Sequence, residues 1–239
     1  MAVKRDYGSF AKASRKILAP LVSLYGYEDL GEGFFARRKN RWMEGFGLQQ
    51  TQYGDGSFCI NMGIDVPALD TRWRRPDTAR RGLLIHFRLS ERGVDQGDCW
   101  LPADNKEELN QSLVRLASWL PLVEPWFARL TSLSDVAQLY RSRTNLVELG
   151  QTPWHLQLQA ANYGFLLAEA GEDASAKQWL EEAERLMSLP VYHAPGWAHM
   201  LHEKVKGARL QKTTPDEIRQ LEAVRASLSG LATPQGGAI

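Results

Sequence analysis

The sequence predicts an α+β protein, a small antiparallel β-sheet packed with helices and followed by an α-helical module. Three observations predict it. Between about residue 34 and residue 89 apolar side chains recur in steps of two, the period of half-buried strands. From Asp104 onward the steps are three and four, as they also are from Phe10 to Leu24. Turn residues punctuate the first of these regions and helix-capping patterns the second.

Taken in order, Phe10, Ala13, Ile17, Leu21 and Leu24 form the apolar stripe of a first helix. Pro20 has no N–H donor and should kink it, and Gly26 ends it. Two strands follow, Phe34 to Arg38 and Arg41 to Gln50, joined at Lys39-Asn40, with Trp42, Glu44, Phe46 and Leu48 alternating with Met43, Gly45, Gly47 and Gln49. Tyr53-Gly-Asp-Gly56 supplies residues that tolerate positive φ in a turn. Beyond it Phe58, Ile60, Met62 and Ile64 are expected in the core, opposite in facing to Cys59, Asn61 and Gly63. Leu83 to Leu89 repeats this pattern, and 67–82 between them reads as a loop.

In the second half Asp104 is expected to cap a helix carrying Leu109, Leu113, Leu116 and Leu120, after which Pro121 and Pro125 should break the pattern. Ser132-Leu-Ser-Asp135 has the form of a capping box. Pro153 to Ala170 and Ala174 to Leu189 read as a helical hairpin turning at Gly171. Helices are also expected from Gly196 to Leu210 and from Thr214-Pro-Asp-Glu217. The expected domains are an antiparallel-sheet module at 1–120, a helical module at 121–230 and a flexible tail at 231–239.

Across 239 residues the net charge is +1, from 29 basic and 28 acidic side chains, so no global field would draw the chain onto nucleic acid or an anionic membrane. No run approaches the roughly 18 consecutive apolar residues of a membrane span. The first residues lack the apolar core of a signal peptide. Cys59 and Cys99 are too few for a disulfide framework and suit reduced thiols, hence a cytoplasmic protein. No Gly-rich phosphate loop, nucleophile elbow or cysteine pair at metal spacing is present, so no cofactor, no metal and no catalytic residue is expected and an enzyme is disfavoured.

Leu18-Ala-Pro-Leu21, Phe35-Ala-Arg-Arg38, Trp42, Leu48-Gln-Gln50, Ile60-Asn-Met-Gly-Ile64 and His86-Phe-Arg-Leu89 resemble the bacterial family catalogued as domain of unknown function 4304. The resemblance covers roughly residues 5–120; it implies a small α+β fold and no established activity, and it leaves an immunity or defence-associated role open. Separately, Gly164, Gly171, Ala176, Leu180, Ala183 and Leu186 sit at the packing spacings of a tetratricopeptide repeat, a unit of about 34 residues. An ordinary αα-hairpin is the alternative, because no second copy is evident and such repeats normally stack in threes.

Candidate functional residues fall in two sets. Arg38, Gln50, Asn61, His86 and Arg88 could share the polar sheet face and bind a polar or anionic ligand, guanidinium groups offering paired donors and amides reading hydrogen-bond patterns. Arg72, Arg74, Arg75, Arg80 and Arg81 surround Trp73 in the presumed loop, a composition suited to phosphate contact with base stacking. Asp65, Asp70 and Asp77 dilute that field. His199 and His202, with Glu203 adjacent and His193 upstream, offer zinc-type ligands, but His199 and His202 fall on the polar face of the expected helix. The leading expectation is a non-catalytic protein with a protein partner or a small ligand; nucleic acid or a phosphate ligand at the Arg loop is the less favoured reading, and no membrane partner is expected.

Overall fold

A computed structural model describes residues 7–51, 56–69 and 83–188, and within them the fold is α+β with an antiparallel sheet. Two compact units divide the chain at Thr131 and Ser132, with Ala68 and Leu69 grouped with the second. The Arg-rich set at 72–81, the histidines at 193–202 and the helices expected beyond residue 189 lie outside the described residues.

The first unit opens with α1 (Tyr7–Val22) and a short 3₁₀ turn to Tyr25. Then come β1 (Glu28–Gly31), β2 (Phe34–Lys39), β3 (Trp42–Gln50), β4 (Ser57–Asp65), β5 (Ile85–Ser90), β6 (Gly93–Val94) and β7 (Leu101–Pro102). β1 to β6 pair in sequence order and β7 pairs with β4, every pairing antiparallel. The predicted β2–β3 hairpin forms around Asn40, which takes a φ of +54°, a conformation Asn tolerates better than most residues. Neither β1 nor the short β6 and β7 is marked by alternation, because at two to four residues no period can establish itself.

One sheet face is apolar. Phe58, Ile60, Met62 and Ile64 are at most 1% exposed, as their alternation predicts, and their partners across β3 and β5 include Phe46, Phe87 and Leu89. Two helices cover this face: Phe10 of α1 meets Phe58 edge to face at 5.3 Å, and Phe87 meets Trp126 at 4.4 Å. Trp126 belongs to α3 (Leu120–Phe127), which runs through both prolines that were expected to break the pattern. Pro121 stands in the first turn, where a backbone N–H would have no helical acceptor, so only Pro125 forfeits a hydrogen bond. Preceding it, α2 (Lys106–Ala117) is capped by Asn105, whose side chain accepts the Glu108 amide at 2.9 Å; the cap is one residue later than Asp104.

The second unit contains α4 (Leu133–Arg143), α5 (Gln157–Ala170) and α6 (Asp173–Ser188). The capping box at Ser132 and Asp135 is formed in both directions, at 3.2 and 2.9 Å. Gly171 closes α5 at a φ of +83°, where a side chain would strain the turn. Gly164 lies where α5 and α6 come closest: a Cβ added there would stand 2.8 Å from the Leu180 side chain. Small residues permit such an approach. Gly164→Leu is therefore expected to overpack the hairpin and cost about 1–3 kcal/mol in chemical denaturation, against near neutrality for a leucine at exposed Gln178. Equal stability of the two variants would show that the helices separate freely.

Candidate functional site

Antiparallel pairing puts directly opposed residues on the same face. Gly47, Asn61 and Arg88 oppose one another across β3, β4 and β5, and Gln49 opposes Cys59 two pairs further along. All five therefore share the face turned away from α1 and α3. There Arg88 Nη1 donates to Asn61 Oδ1 at 2.6 Å, to Gln49 Oε1 at 3.3 Å and to Cys59 Sγ. Asn61 Nδ2 closes the set by donating to Gln49 Oε1 at 2.7 Å. From the segment between β6 and β7, Asp98 Oδ1 reaches Arg88 Nε at 3.0 Å and the Trp100 ring centre lies 5.6 Å from the guanidinium carbon.

Cys59 is buried, and that burial pushes its thiol up to about 11 while the Arg88 charge opposes the rise. It is a neutral thiol at physiological pH, hence a poor nucleophile and a soft hydrogen-bond acceptor. Arg88 itself stays 28% exposed and Trp100 40% exposed, so both side chains present surface to solvent.

Of the five residues expected on this face, the structure brings Asn61 and Arg88 into contact. His86 shares the face and is exposed, two residues from Arg88 along β5, or roughly 7 Å. Arg38 is also on this face, level with Met43 and Asp65, but three strands away and four pairs along, roughly 20 Å from Arg88. Gln50 is on the other face, opposite Phe58, and its Oε1 is buried with no hydrogen-bond partner among the described residues. Parity is the physical reason: Gln49, not Gln50, is in step with Gly47 and Asn61. Gln49 and Cys59 were thus legible in the alternation, whereas Asp98 and Trp100 carry no local signal.

The glycines shape this face as well. Phe34 lies across β3, so that a Cβ at Gly45 or Gly47 would stand 3.2 and 3.1 Å from its ring. At Gly63 a Cβ would fall 1.8 Å from the Ile85 carbonyl oxygen, which leaves no room for any side chain.

A second polar cluster sits on the apolar face. Glu44 is wholly buried, and Arg37 grips its Oε2 from Nε at 2.9 Å and Nη2 at 2.6 Å. Trp42 Nε1 and Lys39 Nζ each approach Glu44 Oε1 at 3.3 Å. The remaining Arg37 nitrogen, Nη1, bonds Glu124 at 2.9 Å and the Tyr25 carbonyl at 2.7 Å. Burial works against the Arg37 charge, but hydrogen bonds to Glu44 and Glu124 outweigh it and hold the group more firmly protonated than usual. Burial likewise drives the neighbouring Tyr27 hydroxyl well above its ordinary range, with Arg37 opposing. Each of the three Arg37 nitrogens is engaged from within, so this cluster is built to hold the fold.

Among the described residues no group of three or more His, Cys, Asp or Glu side chains could hold a metal ion, and no helix is long and apolar enough to cross a membrane. Comparisons with protein-family models, with curated proteins and with solved structures returned no match.

Proposed function

We propose that this chain is a non-catalytic binding protein and that the Arg88 face of its sheet takes a polar ligand bearing an oxyanion. One observation carries the reading. Arg88 is anchored at Nη1 by three acceptors of the sheet, yet its side chain remains 28% exposed and is flanked by an exposed tryptophan. An arginine fixed in orientation loses less freedom on binding than a free one, which favours recognition. Free, neutral Cys59 fits a protein of a reducing compartment, and Asn61 and Arg88 both fall in the short motifs that resemble domain of unknown function 4304. The helical hairpin at 157–188, if it serves as a tetratricopeptide-like surface, would supply the expected protein partner.

The test is a thermal-shift screen of small organic and inorganic anions against the parent and Arg88→Met. A ligand at a hundred times its dissociation constant stabilises by about 2.7 kcal/mol, a shift of several degrees, and the variant should show none of it. A panel in which every stabilising anion works equally on both proteins would move the binding function elsewhere.

A further inference from the structure

Resting on that binding reading, we infer that the ligand carries a carboxylate which grips Arg88 side-on, and that Asp98 is a built-in occupant of the same edge. A carboxylate binds a guanidinium best when its two oxygens accept two parallel N–H bonds, and the side-on edge offers Nε with Nη2. Nη1 is committed to Gln49, Cys59 and Asn61, so the side-on edge is the one left for a further acceptor. Asp98 takes it incompletely. Its Oδ1 stands 3.0 Å from Nε as an ion pair, and Nη2 makes no hydrogen bond among the described residues.

Asp98 is also easily displaced. Its side chain is 60% exposed and it follows Gly97, whose φ is +102°, in the connection between β6 and β7. An exposed ion pair of one oxygen is weak. An incoming carboxylate that satisfies both N–H groups would therefore release Asp98 to water at little cost. The charge balance selects a monoanion: one guanidinium, already shared with Asp98, matches a carboxylate and falls short of a phosphate dianion. Trp100 adds an exposed ring beside the edge, suited to a flat apolar group attached to that carboxylate.

Sodium benzoate has this combination, and inorganic phosphate lacks it. Titrating the full-length protein with each, while following the Arg88 Nε–H resonance assigned by its loss in Arg88→Met, tests the inference. Benzoate should shift the resonance saturably and bind more tightly than phosphate. Asp98→Asn and, in parallel, Asp98→Ala should bind benzoate roughly fivefold tighter than the parent, with thermal midpoints near the parental one. Tighter binding of phosphate would overturn the carboxylate assignment. Benzoate binding at Arg88 that neither Asp98 variant strengthens would overturn the built-in occupant and leave the binding site standing. If neither anion moves the resonance in any of the three proteins, the binding site itself falls.

Discussion

Glu44→Ala should destabilise the protein by about 3–5 kcal/mol, because it takes the buried carboxylate from Arg37, Lys39 and Trp42 at once and leaves Arg37 with Glu124 as its only ion pair among the described residues, rather than because a salt bridge is strong in itself. Glu44 is the sole shared acceptor of Arg37, Lys39 and Trp42 in its cluster, and Arg37 is only 16% exposed. The same logic makes the double change Arg37→Met with Glu44→Leu milder than the single one, since it removes the two most buried charges together and leaves only Trp42 Nε1 and the part-exposed Lys39 and Glu124 to find other partners. Urea denaturation of the three variants checks this. Should the double variant be the least stable, the cluster contributes attraction beyond mutual compensation, and the desolvation argument fails.

Phe58→Ala should cost a similar amount, about 3–5 kcal/mol, through lost burial and the cavity left behind. The ring is fully buried, it meets Phe10 of α1 edge to face, and its strand is the one paired with β3, β5 and β7. Phe58→Leu retains most of the volume and should lose under about 1.5 kcal/mol. A Phe10→Ala, Phe58→Ala double cycle should return a coupling of about 0.5–1.5 kcal/mol for the aromatic pair. Additive losses would mean that the two rings do not depend on each other.

Much of this architecture could be read from the residues because long strands and long helices declare their period. β3 and β4 each run for nine residues, enough for alternation to fix both strand and facing. The helices around Leu113, Ser132 and Gly171 announce themselves by stripes and caps. What escaped was short or non-local. β1, β6 and β7 are held by their neighbours rather than by any pattern of their own. α3 is hidden by two prolines, one of them harmless in a first turn. The site was half legible: Asn61 and Arg88 follow from alternation, and Gln50 was out of step by one residue. Asp98 and Trp100 join Arg88 only because the chain returns to β4 through β7, a closure that spacing does not reveal.

The order of the strands also has a bearing on how fast the sheet can assemble. β1, β2 and β3 are joined by turns of two residues, and β3 is followed by β4 after a short connection, so each pairing closes only a small loop of chain. Chain-closure entropy grows with loop length, and contacts near in sequence form in the shortest times. β5 must wait for the longer stretch after Asp65, and β7 pairs with Phe58 across more than forty residues of chain. The four-stranded meander is therefore the natural nucleus. The β4–β5 pairing that sets Arg88 beside Asn61, and the β7 closure that brings in Asp98 and Trp100, are the pairings that must close the longest loops of chain.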